Sequence, residues 1–161
     1  MDGRSLDSHL KLAVRDGITR AIGAIGLCGM ALIHAIDAPS HFGGPDTYLG
    51  VMYLGLIITS IALAGALIAS GDRRIWAATA ALTVSVIVGY VLSRTTGLPS
   101  STDDIGNWGE SLGIASLFVE GALVALSSLA LGSRRRLQGA NVIWLEPRAA
   151  TPGSSRDAIP A

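Results

Sequence analysis

Charge is scarce in this chain. Only 15% of its 161 residues are Asp, Glu, Lys or Arg, while half are apolar and the mean hydropathy is +0.51. Soluble domains carry about a quarter charged residues, so the composition argues against a water-soluble globule of this size. Aromatic residues are thin too, at 5%. A single cysteine, Cys28, excludes an internal disulfide. The chain has no Cys-x-x-Cys-His haem attachment, no phosphate-cradling glycine loop and no nucleophile set beside its base. No residue is therefore assigned a catalytic role, and no nucleic-acid surface is marked. Haem held by two transmembrane histidines is disfavoured, because only His34 falls inside an apolar run.

What the chain does have is four apolar runs, at about 18–36, 48–70, 75–92 and 108–132. Periodicity cannot separate strand from helix in a wholly apolar run, but length can. A helix needs roughly 20 residues to cross a bilayer, and these runs have that length. The predicted fold class is all-α: an integral membrane four-helix bundle in a lipid bilayer, preceded by a polar segment (1–17) and followed by a disordered tail (133–161). Abundant glycine suits close helix contact, and Gly23, Gly26 and Gly29 form a small-residue groove on the first helix. The short "GDRR" turn (71–74) predicts that the second and third helices pack antiparallel.

Basic residues set the expected orientation. Arg4, Lys11, Arg15 and Arg20 precede or open the first run, Arg73 and Arg74 lie in the "GDRR" turn, and Arg134, Arg135 and Arg136 follow the fourth. The first long connection has no basic residue and the third has only Arg94 at its edge. Lys and Arg stay on the cytoplasmic side, which predicts a multi-pass plasma-membrane protein with both termini cytoplasmic.

That topology gathers the chemistry on the outer side. Asp37, Asp46, Asp103, Asp104 and Glu110 fall there with His34 and His41, leaving His9 on the cytoplasmic side. His34 and Asp37 share a helical face, and His41 follows Pro39 in a loop able to fold back over them. Hard cations take oxygen ligands, whereas zinc and copper accept imidazole. His34, Asp37, His41, Glu110 and Glu120 are thus the candidate ligands of a divalent metal, zinc or copper. The bland reading is that polar loops simply face water. Arg94, Asp103 and Asp104 are assigned structural or ion-pairing roles. Glu120 lies about 18 Å below Trp108 along a helix axis, near mid-membrane, where an acid must be neutral or paired and must face the bundle interior.

The set "APSHF" after the first helix, "SRTTGLP" after the third and "E…LGIASLFVE" in the fourth resembles a family of small four-helix membrane proteins common in actinobacteria. There the loop reads A-P-E-H, the third helix ends S-R-T-x-G-L-P and the fourth carries an inward acid. The resemblance covers about residues 20–132 and implies a fold and topology rather than a reaction. It points to His34, His41, Arg94 and Glu120, and this chain has Ser40 in place of the loop acid.

The expected function is binding of a metal cation, or proton relay, by an outward-facing His/Asp/Glu/Arg cluster. The alternative is an accessory subunit whose helix faces bind a membrane-protein partner or a second copy. Orientation is tested by cysteine labelling in a Cys28→Ser background. Cysteines at Ser40 and Ser101 should react with an impermeant thiol reagent applied to intact cells, and one at Ser133 should not. Labelling at Ser133 would reverse the topology.

Overall fold

The computed structural model describes residues 3–143. It consists of four helices, α1 (Gly3–Asp37), α2 (Thr47–Ala69), α3 (Arg73–Thr95) and α4 (Ser111–Ile143), with one 3-10 turn (Ala38–His41) after α1. No named strand occurs among the described residues. Each helix contains a stretch long and apolar enough to cross a membrane. Their outer faces carry exposed Ile25 and Leu32, Leu54 and Ile58, Val88, and Phe118, a surface that lipid solvates and water does not.

Two helices outrun the apolar limits read from the sequence. The first continues back through the polar segment to Gly3, since no proline interrupts it before Pro39. The fourth begins at Ser111 rather than Trp108 and runs to Ile143. Its last turns, "SRRRLQGANVI", are rich in good helix formers and lack proline, so 133–143 is helical where a disordered tail was expected. The rest of that expected tail lies outside the described residues.

Three helix ends follow directly from local chemistry. Pro39 has no N–H to donate, so the α-helix gives way to the 3-10 turn there. Asp72 caps α3 by accepting from the Arg74 amide at 3.0 Å. Gly97, at φ +76°, ends α3 in a left-handed turn open to glycine.

The two halves of the bundle are built differently. In the half nearer the termini, Leu27, Met30, Leu67, Trp76 and Leu123 form a dry core with almost no exposure. Gly23 is what admits the indole: a Cβ there would stand 2.9 Å from Trp76 and 3.0 Å from Leu67. Ser60, Thr79 and Thr83 are also fully buried there, each satisfied by a carbonyl one turn back in its own helix.

The other half, where the long connections lie, is more open. Helix α1 packs extensively on α2 and on α4, and α3 packs on α4. Helices α2 and α3, expected to pack antiparallel because a short turn joins them, touch each other least of these pairs. They are held near that turn by Leu67 and Trp76. Towards the connections their facing positions hold small residues, Gly55, Ser85 and Gly89, and line a cavity instead.

Filling the groove at Gly23 should therefore cost the fold. Gly23→Val meets a rigid, fully buried indole, and overpacking of that kind costs about 1–3 kcal/mol. Gly121→Val, at a position with nothing within 4 Å of an added Cβ, should cost much less. Thermal unfolding in detergent measures both, and equal midpoints would refute the packing account.

Candidate functional site

The site is assembled around Arg94, in the last turn of α3 and only 5% exposed. A buried guanidinium needs partners, and the α3–α4 connection provides them. After Gly97 the chain folds back so that the Gly106 amide donates to the Arg94 carbonyl at 2.9 Å. That return brings Asp104 to 2.5 Å from Nη1, while Nη2 donates to Glu110, the residue before α4. One turn below, the Tyr90 ring lies 5.0 Å under the guanidinium carbon and meets Trp108 edge-on. Arg94 thus ties α3, the connection and the start of α4 together.

A second group forms where α1 ends. The 3-10 turn directs His41 between two carboxylates. Its Nδ1 donates to Asp46 at 2.8 Å, and its Nε2 stands 3.7 Å from Asp37. Below it His34 is buried and donates from Nδ1 to the Met30 carbonyl at 2.9 Å. A carbonyl can only accept, so that bond assigns the proton to Nδ1 and leaves the Nε2 lone pair free in the neutral ring. Both imidazoles contact the Tyr53 ring of α2 edge-on, at 5.1 Å between centroids.

The third element is Glu120, nine positions into α4 and so about 14 Å below Ser111. It has no solvent exposure. Ser116, one turn back, donates to Oε1 at 2.5 Å, and Oε2 has no partner. His34 and Glu120 line the same cavity.

Apart from Asp46 and Trp108, these groups line one cavity of about 600 Å³ that extends from the connections down to Glu120. The Tyr48 hydroxyl donates to the Pro99 carbonyl at 2.8 Å and so bridges the entrance of α2 to the α3–α4 connection.

Of the sequence candidates, His34, Asp37, His41, Arg94, Asp104, Glu110 and Glu120 all line this cavity. Asp103 does not; it is exposed on the surface. The side chains sit in separate groups. Among the described residues no three His, Cys, Asp or Glu side chains converge to hold a metal ion. Four of the five candidate ligands are engaged elsewhere, Glu110 by Arg94, His41 by Asp46, Glu120 by Ser116 and His34 through Nδ1 by its own helix, while Asp37 stands 3.7 Å from His41.

Sequence reasoning missed Tyr53 and Tyr90, and gave Asp46 no specific part. All three tyrosines of the chain, Tyr48, Tyr53 and Tyr90, line the cavity, which nothing in the sequence marks. Compared with known proteins, the chain matches no family model, no curated protein and no solved structure.

The His41–Asp46 contact gives a pH prediction. The hydrogen bond from His41, helped by a backbone amide, holds the Asp46 carboxyl below the usual carboxylate range. A depressed acid stabilises the fold above its unfolded pKa, about 4, and that contribution is lost as pH falls through the lower folded value. In His41→Ala the Asp46 titration, followed by carboxyl NMR shifts, should move up towards the ordinary value. An unchanged titration would show that His41 does not hold it.

Proposed function

We propose that this chain is a small multi-pass integral membrane protein, with both termini cytoplasmic, whose outward-facing cavity carries a proton or cation to and from Glu120. The observation that carries the reading is the state of Glu120. It is fully buried within an apolar helix, yet one carboxyl oxygen is unpartnered where the cavity ends. A carboxyl kept only as structural glue would have both oxygens satisfied, since an unmet buried acceptor costs about 1–3 kcal/mol. Intramembrane acids facing a cavity mark proton and ion pathways.

The groups above it suit a relay. His34 has Nδ1 occupied and Nε2 free, so it can take a proton on one nitrogen while held by the other. His41, between Asp37 and Asp46, stands nearer the connections. Arg94 is neutralised by Asp104 and Glu110, so it does not repel a cation approaching from that end. A metal ion, zinc or copper, is the second reading. It is favoured by His41 lying between two carboxylates, and it requires those side chains to leave their present partners.

Infrared difference spectroscopy of the protein in lipid tests the first reading. A buried carboxyl band should vanish in Glu120→Gln, exchange readily in heavy water and respond to bulk pH in the wild type. Glu120→Gln should fold normally, because it keeps the shape and the hydrogen bond from Ser116. A band that ignores bulk pH throughout the folded range would reduce Glu120 to bundle glue and leave the accessory-subunit reading in front.

A further inference from the structure

The cavity has a side as well as a mouth. On α2 the lining residues Met52, Gly55 and Thr59 are exposed on the outer surface of the bundle, and on α3 so is Ser85. Nothing stands within 4 Å of an added Cβ at Gly55 or Gly89. The cleft between α2 and α3 therefore opens sideways, towards lipid if these helices span a bilayer, while the Tyr48–Pro99 hydrogen bond straps the end. A proton needs no such opening.

We propose that the cavity binds a lipophilic organic cation, an amine or quaternary onium with an apolar body, which enters between α2 and α3 and takes the place of the proton on Glu120. The inference rests on the reading of Glu120 as a group that gains and loses a proton.

Size, wall and charge each point to that class. About 600 Å³ falls within the range of roughly 300–1,000 Å³ for small-molecule pockets. The deeper wall is apolar, with Leu56, Leu82 and Val86. The lining carries four carboxyls, Asp37, Asp104, Glu110 and Glu120, against one permanent cation, Arg94. Asp104 and Glu110 are spent on Arg94, and Asp37 lies beside His41. Glu120 keeps a free oxygen beyond the reach of any of these pairs as described. The rings of Tyr53 and Tyr90 supply the electron-rich surfaces on which organic cations settle. A hard metal ion would need convergent oxygen ligands, which this wall does not present. A diffuse organic charge on an apolar body needs one carboxylate and greasy walls.

The exchange balances: one monovalent cation enters, one proton leaves the Glu120 carboxyl, and the site's net charge is unchanged. The titratable and charged groups that line the cavity with Glu120 are His34 and Asp37 from α1, His41 from the 3-10 turn, Tyr48 and Tyr53 from α2, Tyr90 and Arg94 from α3, and Asp104 and Glu110 beside Arg94. The two imidazoles are the other groups able to supply that proton; His34 is the deeper of them, so His34→Gln must be examined alongside, with His41→Gln as a second control.

Calorimetry on the full chain in detergent, with tetraphenylphosphonium as probe and uncharged tetraphenylmethane as control, tests this. The cation should bind saturably, tighten as pH rises, and release about one proton in weakly buffered solution. The neutral control should bind at least about tenfold more weakly. Glu120→Gln should lose at least tenfold in affinity together with the proton release, Glu120→Asp should keep the release, and His34→Gln and His41→Gln should each keep both. Gly89→Leu should block binding while leaving the infrared titration of Glu120 intact. Equal binding of the neutral control, or undiminished affinity in Glu120→Gln, would overturn the proposal. So would a wild-type dimer that Gly89→Leu converts to monomer, since a second copy would then fill the cleft. No binding alongside a normal Glu120 titration would sink the cation site and spare the proton reading. Loss of that titration would sink both.

Discussion

The architecture of the open half depends on the pairing of a buried guanidinium. Arg94 sits at the end of an apolar helix where a lone charge would be prohibitive. Asp104 and Glu110 both come to it, one from a connection and one from the threshold of α4. Because these two acids are held, the connection lies across the bundle end, Tyr48 can reach Pro99, and Trp108 meets Tyr90. That ion triad and the connection it holds form a roof over the cavity.

Beneath the roof, volume decides what can be bound. Bulky residues, Trp76 above all, fill the half near the termini, and glycine and serine line the facing positions of the other half. Close packing leaves few voids in a protein interior, so a space of about 600 Å³ reflects the choice of small residues on α2 and α3. The dry half fixes the helices in place. The open half then holds its polar groups at set depths, from His41 through His34 to Glu120.

Much of the fold was legible in the sequence, because length and apolarity leave few alternatives to a helix. The runs identified all four helices. Their ends were less legible: α1 and α4 extend through polar residues, since a helix once nucleated needs no apolar surface to continue. The site was legible as a set of residues and illegible as geometry. His34, His41, Arg94 and Glu120 stood out because polar groups are rare in such a chain, yet the histidines and acids were read as one shell and the structure holds them in separate hydrogen-bonded groups. Tyr53 was invisible for a different reason. Nothing in an apolar run says which of its faces a histidine from another helix will meet.

By itself, then, the sequence determined the helices, the polar residues confined to their ends, and the one acid stranded in an apolar run. Those are properties of local composition, set by the cost of placing charge and backbone in hydrocarbon. Only the tertiary structure decided that Glu110 answers Arg94 and not a shared ligand, that Glu120 keeps one oxygen free, and that α2 and α3 part to leave a cleft. Such choices depend on rotation about each helix axis and on which side chains fill the space between helices, and neither is written in any single segment.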